Sequence, residues 1–168
     1  MLFRSVALAW AALGLVLFEV GSKLDKSAIT TQGHALMGFA FGRLFLSNFT
    51  AAGEILGLSH RLITIVPIAA MFYYLRLRVR DEQKKSKSVG FETYLQPIYS
   101  YGAAALLVIL ARFEFGRTLT VIAWAALIII YLVLGVQWRD RDFRFQSYII
   151  ALTAFARSWS TKIGRAHV

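Results

Sequence analysis

LTVIAWAALIIIYLVLGVQW, residues 119–138, runs for twenty residues without a charge. A helix of about 20 apolar residues crosses a hydrocarbon core of about 30 Å. A short basic turn, RDRDFR at 139–144, follows it, and then a second, weakly apolar run down to Trp159. Nearly the same unit opens the chain. A shift of 114 residues, without a gap, lays AWAAL of residues 9–13 on AWAAL of residues 123–127. The same shift lays Gly21 on Gly135, Gln32 on Gln146, Ala40 and Phe41 on Ala154 and Phe155, and Arg43 on Arg157. These ten identities over residues 9–45 lie in both helices of a hairpin and include polar positions. They read as an internal repeat.

Composition agrees with a membrane chain. Of the 168 residues, 58% are hydrophobic and the mean hydropathy is +0.59, above the roughly 45–50% apolar content of soluble domains. The apolar residues come in blocks separated by basic turns. There is no cysteine, so disulfides and thiolate metal sites are excluded. In a soluble protein the net charge of +10 would point to nucleic acid. Here the positive residues lie in turns, where they face anionic lipid and set topology, and no nucleic-acid partner is expected.

The fold predicted is an all-α polytopic transmembrane bundle of about six spans in three antiparallel hairpins. The spans fall at about 2–20, 27–49, 60–76, 93–111, 118–138 and 145–161. Ala7, Ala11 and Gly14 make a small-residue stripe on the first span, and Gly38 and Gly42 form a GxxxG on the second; both are candidate packing faces. Pro67 falls inside the third span, where it removes a backbone hydrogen bond, and Arg61 and Arg76 bound that span and are expected to snorkel. Pro97 is placed in the first turn of the fourth. Residues 76–92 read as a charged loop. The turns at 22–26, 76–92 and 139–144 together hold eleven Lys and Arg against seven on the other side, the tail excluded. The positive-inside rule makes those three turns cytoplasmic and the start of the first span external.

Residues 1–20 read as a genuine span rather than a removed signal peptide. The tail 163–168, IGRAHV, matches the translation of a common sequencing adapter, ATC GGA AGA GCA CAC GTC. It is set aside from the fold, His167 is set aside as a ligand, and the natural chain is expected to continue beyond Lys162.

Polar groups within spans mark candidate sites. Gln32 and Arg43, with their copies Gln146 and Arg157, share a helix face because eleven residues make three turns, about 16 Å along the axis. They would line a polar groove or anion path. The simpler reading is that each arginine snorkels outward while each glutamine joins helices. Glu19, whose copy is Val133, reads as interfacial. His34, whose copy is Tyr148, reads as a buried hydrogen-bonding group rather than a metal ligand or proton relay. Trp10 and Trp124, at copied positions, read as packing. No HExxH, Walker loop, GxSxG or acidic cluster occurs; the segment points to no catalysis, cofactor or metal.

AWAALIIIYLVLG, a basic turn and a helix with a late arginine resemble a repeating element of large bacterial membrane proteins of the family called domain of unknown function 2339. The resemblance covers residues 1–47 and 117–162, and the middle pair of helices loosely. It implies a fragment of a many-span bacterial inner-membrane protein and no catalytic residue. The expected role is structural or in envelope assembly. Expected partners are the lipid bilayer, anionic headgroups at the 76–87 segment, and further parts of the chain or other membrane proteins. The alternative is a transporter or flippase module with a polar path between the second and sixth spans, since transport folds are often built from repeats. Four helices per repeat period give parallel rather than inverted copies, which weighs against it. A membrane transferase is weaker still, because outer loops offer only Glu54 and Glu114.

Overall fold

Among the described residues, six helices emerge where the apolar blocks lie. The computed structural model describes residues 6–45, 54–55, 58–85 and 92–163. The helices are α1 (Val6–Lys23), α2 (Ser27–Arg43), α3 (His60–Lys85), α4 (Glu92–Glu114), α5 (Arg117–Gln137) and α6 (Arg141–Ile163). A two-residue antiparallel pairing of β1 (Glu54–Ile55) with β2 (Leu58–Ser59) leads into α3, and the secondary structure of the described residues is otherwise all helical. Among the described residues, four stretches are long and apolar enough to cross a membrane: Val6–Lys23, His60–Glu82, Tyr94–Glu114 and Leu119–Gln137. The short, threonine- and histidine-bearing α2 and the charged start of α6 fall below that measure.

The chain divides into two compact units, residues 1–110 and 111–168. In the first, α1 and α2 pack as an antiparallel pair and α3 lies against α1. Tyr99 of α4 lies tilted against His34 of α2 and meets Phe72 of α3 edge-on. Ala7, Ala11, Phe18, Met37, Phe72 and Leu106 are core residues here. In the second unit α5 pairs with α6, with Tyr131 stacked on Phe143 at 5.9 Å and Trp124 and Ile150 buried.

Both hairpins turn in the same way. At the end of α1 the Lys26 N–H donates to the Gly21 carbonyl (2.9 Å) and the Asp25 N–H to that of Ser22 (3.4 Å). At the end of α5 the Asp140 N–H donates to Gly135 (3.0 Å) and the Arg139 N–H to Val136 (3.2 Å). Asp25 and Arg139 take left-handed backbone, φ 52° and 51°. This is the Schellman arrangement, which satisfies the last carbonyls of a helix. Directly before each turn the return helix crosses on a glycine. A methyl group at Gly21 would sit 2.6 Å from the Thr30 nitrogen, and one at Gly135 would sit 2.9 Å from the Arg144 nitrogen.

The small-residue stripe of α1 is buried, and a methyl group at Gly14 would fall 3.0 Å from the Gly33 carbonyl oxygen. The GxxxG of α2 is a correction. Gly38 and Gly42 are exposed and have nothing within 4 Å of a built methyl group; Gly33 makes the close crossing instead. Three boundaries also move. α3 runs on to Lys85, so most of the predicted 76–92 loop is helix: its Arg, Leu, Gln and Lys are strong helix formers, and Asp81 and Glu82 interrupt the run of positive charge. Arg76 is 1% exposed and sits within the helix instead of snorkelling from its end. α4 begins at Glu92, which puts Pro97 in its second turn. α6 begins at Arg141 because the Asp140 carboxylate accepts the Asp142 N–H (3.0 Å) and caps it; the predicted turn 139–144 contracts to three residues. Residues 46–49 of the second span and the tail from 164 lie outside the described residues.

Candidate functional site

The two arginines that the repeat singles out each stand over a tryptophan. The guanidinium carbon of Arg43, at the end of α2, lies 5.4 Å from the centre of the Trp10 ring on α1. That of Arg157 on α6 lies 5.3 Å from the Trp124 ring on α5. The tryptophans are 114 residues apart, and so are the arginines. A cation over an indole face within about 6 Å is attracted by the ring quadrupole, by about 0.5–2 kcal/mol depending on desolvation. From the sequence alone the tryptophans read as packing, and each arginine shares a face with a glutamine on its own helix. The partner across the hairpin was missed, although the equal spacing of Trp and Arg in both copies was there to find it.

The glutamines do not share that symmetry. Gln32 is exposed, whereas Gln146 is 2% exposed. Each stands about 16 Å along its helix from the copied arginine, so neither is part of the Trp–Arg pair.

Glu19 joins α1 to α3. Its carboxylate accepts two hydrogen bonds from Arg78, Nε at 2.9 Å and an Nη at 3.0 Å, and a third from the Tyr74 hydroxyl at 2.8 Å. One turn on, the Ser22 hydroxyl donates to Glu82. Paired, hydrogen-bonded charges of this kind are tolerated next to apolar surroundings where a lone one is not. Val133 at the copied position, 53% exposed, has no such role.

His34 sits among rings. Its Nδ1 shares a hydrogen bond of 2.5 Å with the Tyr99 hydroxyl, and Phe18 tilts against it at 5.2 Å. Its Nε2 is buried with no partner among the described residues. Tyr99 continues through Phe72 to Phe41 and Phe45, so the rings link all four helices of the first unit. Tyr148, at the copied position, is 59% exposed. Among the described residues no three His, Cys, Asp or Glu gather in a way that would hold a metal ion. His34, Glu19 and the Trp–Arg pair of the first unit are thus three separate features rather than one cluster.

No protein-family model, no curated protein and no solved structure matches this chain.

Proposed function

We propose that this chain is a six-span segment of a bacterial inner-membrane protein with a structural or envelope-assembly role, and that its first and last hairpins are copies of one module. The observation that carries the module reading is the Trp–Arg pair, set at 5.4 and 5.3 Å in the two hairpins. Identical turn hydrogen bonds and crossing glycines support it. Kinship with the domain of unknown function 2339 family rests on the AWAALIIIYLVLG hairpin alone. On this reading α2 and α6 cross the membrane within the bundle, their polar groups turned toward other helices, and the turns after α1, α3 and α5 are cytoplasmic.

A cysteine-free chain makes the topology directly testable. Single variants Lys23→Cys and Gln137→Cys should be labelled by an impermeant maleimide only from the cytoplasmic side, and Ser59→Cys and Phe115→Cys only from the outside. Labelling of all four from one side would refute the six spans. The module reading assigns the arginines to assembly, so Arg43→Ala with Arg157→Ala should lower recovery of partner proteins in a pull-down.

A second reading, a transporter or flippase module, is favoured by one observation. Arg76 is buried, and Glu19 and Arg78 are paired, on helices apolar enough to cross the membrane, where ionisable groups often serve a substrate path. It predicts instead that the arginine variants abolish uptake or release while expression and assembly are unchanged.

A further inference from the structure

We propose that the outer face of the last hairpin, with Tyr148 at its centre, is where a second copy of this chain docks, so that α5 and α6 of two copies form a twofold pair. The inference rests on the module and six-span reading above and adds a partner to it.

Position by position, the two hairpins differ most on one side. In the first, Ala11 and Phe18 of α1 are buried, and His34 and Phe41 of α2 are half-buried. Tyr99 of α4 meets His34, and Phe72 of α3 meets Phe41. Their copies in the last hairpin, Ala125, Leu132, Tyr148 and Phe155, are all exposed. Positions between the helices and on the outward side do not change in this way. Gly21 and Gly135 are buried in both copies, whereas Val16 with Ile130, and Ala35 with Ile149, are exposed in both. The face that α3 and α4 cover in the first hairpin is thus an established interface, and its copy stands uncovered.

The first unit shows what fits such a face. Seven residues separate the start of each return helix from its ring: Ser27 from His34, Glu92 from Tyr99 and Arg141 from Tyr148. All three rings stand about 10 Å along their helices. In the six-span reading the turns after α1, α3 and α5 lie on one side of the membrane. The pair α3–α4 therefore covers α1–α2 as a hairpin of the same sense, ring opposite ring at one depth. A second copy of the last hairpin, oriented alike in the same membrane, presents that geometry to the first, with Tyr148 opposite Tyr148. A twofold axis makes such a face complementary to itself. The chemistry agrees. The His34 ring shares a hydrogen bond with the Tyr99 hydroxyl. A phenol is both donor and acceptor, so two copies of Tyr148 satisfy one another, whereas acyl chains offer a hydroxyl no partner. Ala125, Leu132 and Phe155 bring no charge to repel their like.

The test is energy transfer between copies of the full chain in vesicles of phosphatidylcholine and phosphatidylglycerol. The chain, made as Lys23→Cys, is labelled at that position with donor or acceptor, mixed, and diluted with lipid. Transfer should follow the acceptor fraction as a dimer requires and fall on dilution. Tyr148→Phe removes only the hydroxyl and should weaken dimerisation about threefold, the usual effect of an interhelical hydrogen bond in lipid. Leu132→Ala with Phe155→Ala should weaken it by about tenfold or more, since packing drives helix association there. Ile130→Ala with Ile149→Ala, on the outward side, should leave it unchanged. Transfer no greater than that of unassociated chains at every dilution would overturn the proposal and leave the face to lipid. So would undiminished association in the Leu132 and Phe155 double variant, which would put the contact elsewhere. Failure of the six-span reading registers separately, as wrong-sided maleimide labelling of the four cysteine variants above.

Discussion

A lone carboxylate at position 19 would be costly in hydrocarbon, and the fold answers it with Arg78 and Tyr74. Replacing Glu19 by Gln strands a guanidinium that is 29% exposed. We expect a loss of about 1.5–3 kcal/mol, the range for hydrogen bonds to charged groups. Arg78→Gln should lose a similar amount, and the double variant clearly less than the sum, in equilibrium unfolding of the detergent-solubilised chain. Strict additivity would mean that the two side chains are not coupled. The sequence marked Glu19 as polar but not its partner. A run of Arg and Lys has the same composition whether it is a loop or a helix that outruns the bilayer, and Arg78 was therefore assigned to the loop. The copied tryptophans posed the opposite problem: they were visible, but position along one helix does not say which residue of the next helix faces them.

At the scale of the element, the hairpin turns were the more legible part. Gly21 and Gly135 were identified as copies, and in the structure both are places where the return helix leaves no room for a side chain. Gly21→Ala and Gly135→Ala should each destabilise by about 1–3 kcal/mol through overpacking, whereas Gly42→Ala should be neutral or slightly stabilising, since its methyl group meets open space and alanine is the better helix former. Thermal unfolding of the three variants decides this; equal effects at all three would contradict the close crossings. The GxxxG misled because that motif specifies small residues at helical spacing, not the helix that approaches them. The start of α6 was misplaced for a related reason. Arg141 and Asp142 look like turn residues by charge, and only the Asp140 cap shows that the helix has already begun.

For the whole molecule, the apolar blocks carried the all-α reading because hydrophobic run length is set by bilayer thickness and needs no knowledge of tertiary contacts. The charge asymmetry belongs to this scale too. Replacing Arg139, Arg141 and Arg144 together by Gln removes three of the eleven basic residues assigned to the cytoplasmic turns. It should produce a mixed orientation of the last hairpin, read as maleimide labelling of Gln137→Cys from both sides, because Lys and Arg in short turns set orientation. Retention of a single orientation would show that the preceding helices determine it. The arrangement within each unit was less legible, because it depends on which side chains meet across helices, and periodicity alone does not order helices around one another.

The ion pair between α1 and α3 also has a place in time. Arg78 follows Glu19 by 59 residues, which at synthesis rates of about 5–20 residues per second is a delay of roughly 3–12 s. For the later part of that interval, once α2 has ended at Arg43, the first hairpin is complete while its carboxylate has no Arg78, so the Glu19 ion pair can form only once α3 has emerged. The last hairpin, with Val133 in place of Glu19, waits for no such partner. Two hairpins of like sequence thus complete their packing on different schedules, one dependent on a later helix and one free of that dependence.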